Sequence, residues 1–312
     1  MNLFKLAPLT LLFFLILAMG CKKNSPAPEA NTIAANVPDE KPESRQLPKE
    51  FSDYWYQGEA EITSYELTQA RYGELREGNA VLVFVTEDFL PKEQVKADRR
   101  SSDNIPVLKL NTTKNFLTGI YPYSIMTSTF YPVQRKTHAI KVSNSVQEWC
   151  GHVYAQLNNR DNFEISAHSY FESEADQNFT LEKNILEDEL WTQIRLNPEA
   201  LPTGSLKVIP SMEFIRLKHK AFKAYEAKAS LSKKETATVY TLEYPELNRS
   251  LRIEFTNSFP FYIEQWEETF ISGFGAEAKK LVTKAVKKNR IKSPYWQKNA
   301  NVDVHLRDSL GI

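Results

Sequence analysis

Cys150 and His152 stand two residues apart, and His168 follows on what reads as the returning strand of the same hairpin. A thiol beside imidazoles supplies either a thiol–imidazole nucleophile or part of the ligand set of a divalent metal. Side chains alternate along a strand, so Cys150 and His152 share one face while Trp149, Val153, Ala155 and Leu157 take the other. On the return Phe163, Ile165 and Ala167 read as core, which turns His168, Tyr170 and Glu172 the other way. Loop length decides which groups meet. A five-residue loop pairs Leu157 with Phe163 and sets His152 opposite His168, whereas a three-residue loop sets Cys150 opposite His168. Directly opposed Cβ atoms lie about 4.5–5.5 Å apart, within coordination reach. The candidate catalytic residues are therefore Cys150, His152 and His168, and the candidate metal ligands His152, His168 and Glu172. The plainer alternative is a polar sheet face carrying two ordinary histidines.

Other motifs are sparse. The sequence has no Cys-x-x-Cys, no His-Glu-x-x-His, no Gly-x-Ser-x-Gly elbow and no Gly-rich phosphate loop. Glu172, Glu174 and Asp176 form an acidic exit from the hairpin, either a cation site or a solvated loop. Glu267 and Glu268 are neighbours, so in a strand they face opposite ways and do not act as a pair. Tyr54-Trp55-Tyr56 and Phe259-Pro260-Phe261-Tyr262 have the composition of a sugar or lipid cleft, or of packed core. No cofactor is expected beyond a divalent metal at the Cys150 face.

The elements that must position these residues read mostly as strands. Gln69 to Arg76 and Ala80 to Phe89 predict a hairpin turning at Glu77-Gly78-Asn79. Pro106 to Leu110, Ile120 to Val133 and Ala139 to Val142 predict further strands, with Tyr121, Tyr123, Ile125, Thr127, Thr129 and Tyr131 on one face. Trp149 to Leu157 and Phe163 to Phe171 flank an Asn/Asp turn. Leu181, Ile185, Leu186, Leu190, Trp191 and Ile194 recur at helical spacing and predict a helix over 181–195. The strand pattern returns from Leu206 to Phe270. Lys279, Lys280, Lys284, Lys287, Lys288 and Arg290, around Leu281, Val282 and Ala285, predict a basic amphipathic helix over 275–290 that favours anionic partners. The fold class is mainly β: an antiparallel β-sandwich or open barrel with one central helix and a basic C-terminal helix.

What precedes the strands concerns location. Lys5 and an apolar run from Leu6 to Met19 end at Leu17-Ala18-Met19-Gly20-Cys21. The run is shorter than the roughly 20 residues of a spanning helix, and reads as a lipoprotein signal peptide over 1–20 with Cys21 as the lipidated first residue. Several acyl chains on one cysteine give stable anchoring where one chain does not. Residues 21–50 carry Pro26, Pro28, Pro38, Pro42 and Pro48 and read as a disordered tether. The β-rich domain is expected over 51–272, as one unit or as two sheets split near 181–195, with the basic helix and a loose tail over 273–312. Lys plus Arg and Asp plus Glu both number 39, which gives no electrostatic preference for nucleic acid. With Cys21 lipidated, Cys150 is the one remaining thiol and no intrachain disulfide forms.

Ser145-Val146-Gln147-Glu148-Trp149-Cys150-Gly151-His152-Val153-Tyr154-Ala155-Gln156-Leu157-Asn158, with Tyr121-Pro122-Tyr123-Ser124-Ile125-Met126 upstream, resembles a set of Bacteroidetes envelope lipoproteins of flavobacterial type. The resemblance covers roughly Tyr54 to Thr269 and implies an uncharacterised envelope family. Some of its members carry the label septum formation inhibitor Maf. Maf proteins proper are cytosolic nucleotide pyrophosphatases whose α/β fold opens on a Ser-rich, Arg-containing phosphate-binding segment. This chain has no such segment, so no Maf residue is carried over. The expected function is that of an envelope lipoprotein, held to the membrane through the lipid on Cys21, on the periplasmic side or at the outer membrane. Its β-domain is expected to bind a ligand, a lipid or an envelope protein without catalysis. A hydrolase or metal-dependent enzyme using Cys150, His152 and His168 is the alternative. Mass spectrometry of the N-terminal peptide from membranes should show acylated Cys21, and Cys21→Ser should shift the chain to the soluble or unprocessed fraction. An unacylated wild-type peptide would sink the anchor.

Overall fold

The computed structural model describes residues 44–312; the expected signal peptide, Cys21 and the expected tether up to residue 43 lie outside the described residues. The described chain builds one sheet of 16 strands. Its first half is a meander: β1 (Ala60–Arg71), β2 (Glu74–Leu90), a two-residue β3 (Val95–Lys96) on the edge of β2, β4 (Ile105–Thr118), β5 (Tyr121–Pro132), β6 (Lys141–Glu148), β7 (Gly151–Asn159), β8 (Phe163–His168) and β9 (Gln177–Leu181). The second half runs β10 (Ile185–Leu186), β11 (Gly204–Ile209), β12 (Tyr225–Lys233), β13 (Ala237–Tyr244), β14 (Arg249–Thr256), β15 (Ile263–Ser272) and β16 (Lys279–Ser293). Pairing of β16 with β1 joins the halves, and all neighbours are antiparallel except β10 with β11. The free ends of the sheet, β9 and β10, are separated by residues 182–184 alone, a span of roughly 13 Å at most. The sheet is thus curled into an open barrel whose seam lies between β9 and β10.

Inside runs helix α2 (Glu187–Leu196). Leu190 and Ile194 are fully buried in the central cluster with Leu82, Leu108, Tyr240 and Ile253 from strands around the barrel. The alternation expected in β5 is present: Tyr123, Ile125, Thr127, Thr129 and Tyr131 are buried. Helix α1 (Lys49–Trp55) and helix α3 (Met212–Leu217) add Phe51, Trp55, Met212 and Ile215 to the same cluster. Tracing the strands gives the barrel two unlike ends. Residue 44 bridges Arg135 beyond β5, and Arg45 donates to the carbonyl of Val133 at 2.8 Å; this is the near end, with the loops 160–162 and 257–262. The far end carries the β1–β2, β4–β5, β6–β7 and β15–β16 turns and the loop after α3.

Several expectations need correcting. Lys279–Ser293 is strand, not helix, and sits inside the sheet between β15 and β1. Thr283 and Ala285 face the core, while Lys284 and Lys287 pair outward with Glu267 and Glu264 at 3.1 and 2.5 Å. Val282 and Val286 on the outer face hid the period of two. Lys284, Lys287 and Arg290 are thus matched by acids of the neighbouring strand. The sheet accordingly runs past 272, and the loose tail is replaced by a C-terminal helix, α4 (Leu306–Leu310), whose Leu310 covers Ala60, Ile62, Val81 and Val85 on the outer wall. The central helix begins at Glu187, because residues 181 and 185–186 belong to strands. The first hairpin turns at Tyr72-Gly73, both in the left-handed region (φ 53° and 78°) as a tight two-residue turn demands. Gly78 lies within β2, where a Cβ would stand 2.3 Å from the Asn115 carbonyl oxygen.

At the near end Arg195 closes α2 against β1. Its NH1 and NH2 donate to the two Glu61 oxygens at 2.6 Å each, and its Nε donates to the Pro260 carbonyl at 2.7 Å. Both side chains are 1 % exposed. Burial alone would raise the Glu61 carboxyl; the Arg195 charge and hydrogen bonds, with the Tyr54 hydroxyl, hold it below its usual value. A lone buried charge left by removing one partner costs about 3–5 kcal/mol, whereas an apolar pair of similar volume is often neutral. Urea unfolding should show Arg195→Met losing stability on that scale and Arg195→Met/Glu61→Leu recovering most of it. Equal losses in the single and double variants would refute a two-partner clamp.

Candidate functional site

The Cys150 face does not assemble. The hairpin register sets Asn159 opposite Phe163 and Tyr154 opposite His168, so neither expected pairing of His168, with His152 or with Cys150, is formed. The turn occupies residues 160–162, centred one position beyond the expected five-residue loop and two beyond the three-residue one. His168 Nδ1 lies 3.3 Å from Asp176 Oδ2, and His152 and Glu172 are exposed. Cys150 sits in the bend before β7, where the Glu148 carboxylate, by hydrogen bond and charge, pushes its thiol above the ordinary value. That is the wrong direction for a nucleophile, which needs the thiolate. Among the described residues no three His, Cys, Asp or Glu side chains converge as a metal-ligand group. Val153, Ala155 and Leu157 are buried as expected, but Trp149 is 68 % exposed because it lies in the bend before β7 begins.

The chemistry-bearing interior lies instead around the N-terminus of α2. Arg249 of β14 donates from NH1 and NH2 to Glu187 at 2.5 and 2.6 Å and from Nε to Glu268 at 2.6 Å. Tyr244 donates its hydroxyl to Glu187 at 2.7 Å, and Lys114 meets Glu213 at 2.8 Å. Lys114, Glu187, Glu213, Arg249 and Glu268 border a cavity of about 40 Å³ with Thr112, Thr127 and Thr129, room for a few waters. Asp188 completes the ring. Its carboxylate accepts from the Met212 N–H at 3.1 Å, tying α2 to the first turn of α3. Burial, then the charges of Glu187 and Glu213, push it up to about 7 against the Met212 hydrogen bond and Arg249. Burial and the Glu268 charge likewise raise Glu213, against Lys114.

Two larger cavities open to solvent. One of about 470 Å³ lies at the near end, where Phe255, Phe259 and Phe261 face Arg45, Pro48 and Leu196. Of the aromatics expected to form a cleft, Phe259 and Phe261 line it and Tyr54, Trp55, Tyr56 and Tyr262 do not, and Asn257 is committed to the Lys234 and Glu235 carbonyls. The other, of about 480 Å³, lies at the far end beside the seam. Its floor is the inward face of the hairpin, Val153, Ala155 and Ala167, and its walls are Phe179 of β9 and Ile215 and Phe222 of α3 and its exit. Its ionisable groups are Glu174, Arg216, His219 and Lys220, and Asn144, Ser169, Ser173 and Gln177 add neutral polar side chains. Burial lowers Arg216 from its ordinary value, with the charge of Arg71 adding to that and Glu174 opposing it.

No family model matches this sequence, and neither a curated protein nor a solved structure matches it. The functional reading rests on the chain's own geometry.

The far end is also where large apolar side chains project. Ile120 is 82 %, Phe274 72 %, Trp149 68 % and Leu117 60 % exposed, all at turns of this end. Ring contacts join Phe274 to Tyr72 and Trp149 to Tyr121, at 6.1 and 6.4 Å between centroids. Tyr72 and Tyr121 both meet Tyr123, the first through hydroxyls 2.8 Å apart. Sequence reading missed this rim because its members sit singly at separate turns, and it missed the ionic interior because its members come from α2, α3, β4, β14 and β15, far apart in the chain. The one available signal was periodic: Glu187 and Arg195 fall on the apolar face of α2.

The raised Asp188 carboxyl fixes a pH dependence. The folded chain holds this proton more tightly than the unfolded one, so its stabilising contribution is complete below about pH 4 and is lost as pH rises through about 7. Asp188→Asn keeps an acceptor for Met212 and removes the buried charge. Its urea midpoint should exceed that of wild type at pH 8, and the gap should shrink towards pH 4. A gap independent of pH would show that Asp188 titrates normally.

Proposed function

We propose that this chain is a lipid-anchored envelope protein whose open barrel binds a small apolar or amphiphilic ligand without chemistry on it. The observation that carries the reading is the far-end cavity. At about 480 Å³, with Val153, Ala155, Ala167, Phe179, Ile215 and Phe222 beside a few polar and ionisable groups, it has the size and lining of a small-molecule site. The exposed Trp149, Ile120, Leu117 and Phe274 at the same end suit contact with an apolar surface. Anchorage in the envelope rests on Leu17 to Cys21. The Glu148 carboxylate raises the Cys150 thiol, and the hairpin register pairs His168 with Tyr154 instead of Cys150, which supports binding over hydrolysis through this group.

Phe222 and Phe179 stand with ring centroids 6.0 Å apart on the cavity wall. Full burial of one Phe ring is worth about 1.5–3 kcal/mol, so replacing this half-buried ring by a charge should weaken binding by about tenfold. Native mass spectrometry of the full chain from envelope membranes should show a small non-covalent passenger, at lower occupancy in Phe222→Asp. Wild-type protein that carries no passenger, and takes none from a panel of neutral and ionic amphiphiles, would refute the reading.

A further inference from the structure

Two arginines among the described residues, Arg195 and Arg249, are fully buried, and they show what a satisfied guanidinium looks like here. Arg195 and Arg249 each make three charge-assisted or carbonyl hydrogen bonds between 2.5 and 2.7 Å. Arg216 does not. Its side chain is 10 % exposed, yet its NH1 reaches Glu174 Oε1 at 3.5 Å and His219 Nδ1 at 3.4 Å, both at the limit of a hydrogen bond. Its Nε is buried with no hydrogen-bond partner. The guanidinium stacks on Phe171, 4.4 Å from the ring centroid, which fixes its plane at the wall of the far-end cavity.

A buried donor left unmade costs on the order of 1–3 kcal/mol. The sheet offers nothing to remove that cost, but the cavity does: an oxyanion entering it meets a planar fork suited to bidentate contact. His219 and Lys220 line the same wall, so further donors converge there. The carboxylate now nearest is Glu174, on the loop between β8 and β9. Its Oε1 is 2.5 Å from His219 Nδ1 and its Oε2 accepts from Ser169 at 2.6 Å. The loop is pinned by backbone bonds from Glu174 and Ala175 to the Phe171 carbonyl, with Ala175 in the left-handed region (φ 51°). Glu174 is thus held beside Arg216 without reaching it well.

We propose that Arg216, with His219 and Lys220, receives the oxyanion head of a single-chain amphiphile whose tail lies on Val153, Ala155, Ala167 and Phe179, and that Glu174 is a built-in competitor for that head. This deepens the cavity reading above and rests on it. Carboxylate and phosphate heads share the required chemistry, and the test separates them.

The full chain in lipid nanodiscs, corrected for empty nanodiscs, is titrated calorimetrically with octanoate, octyl phosphate and octanol. Octanol should bind at least about tenfold more weakly than the better anion, the scale of one charge-assisted hydrogen bond. The tighter of the two anions identifies the natural head. Arg216→Gln should bring the anion down to the affinity of octanol and leave octanol unchanged. Glu174→Gln should tighten the anion several-fold, again without moving octanol, a selectivity that mere loosening of the loop does not give. Circular dichroism confirms that each variant is folded, and Arg216→Lys, which keeps charge without the fork, should fall between wild type and Arg216→Gln. Equal binding of octanol and both anions, or an Arg216→Gln variant that still prefers the anion, overturns this inference and leaves the apolar cavity standing. Absence of binding by all three overturns both.

Discussion

The barrel depends on a helix held at both ends by ions. Helix α2 runs along the interior, with Glu187 gripped by Arg249 at its start and Arg195 gripped by Glu61 at its finish. An isolated ten-residue helix is marginal in water, so this one exists because its apolar residues fill the barrel. The charges match the helix dipole, acids at the N-terminus and arginine at the C-terminus. Buried ion pairs of this kind add little net stability over apolar packing. What they do well is fix register: a slip of one residue along the axis would leave two buried charges without partners. The clamp therefore sets where Asp188 meets Met212, and through it where α3 presents Ile215 and Arg216 to the cavity.

The same constraint explains what could be read from the sequence. Strand alternation in β5 and the buried face of the β7–β8 hairpin were legible, since each follows from side-chain period alone. The helix was legible as a pattern but not in its start, because Leu181, Ile185 and Leu186 face the same core from strands. Register was not legible. The Asn158 to Asn162 turn admits several closures with similar local chemistry, and the one formed moves His168 to Tyr154 and dissolves the expected cysteine–histidine face. Strand β16 failed for another reason. Its outer face carries Val282 and Val286 amid lysines, so apolar positions 281, 282 and 285 imitate a helix stripe until Glu264 and Glu267 of β15 are placed beside it.

The residues of the proposed binding site carried no motif. Arg216 differs from Arg195 and Arg249 only in what surrounds it, and those surroundings come from β8, β9 and α3, which meet across the seam. A closed barrel would have sealed that region with backbone hydrogen bonds. Leaving β9 unpaired on its outer edge gives the cavity a side wall and a mouth at once.

The two unlike ends of the barrel have a further consequence. The described chain begins at the near end and the mouth lies at the far end, with the 12 residues of β1 running between them. At about 3.4 Å per residue and the tilt usual for barrel strands, that is roughly 30 Å along the axis. In the proposed reading a cargo seated by Arg216 is kept a barrel's length from residue 44, which makes the fold a fixed-length arm with the proposed grip and the proposed foothold at opposite tips.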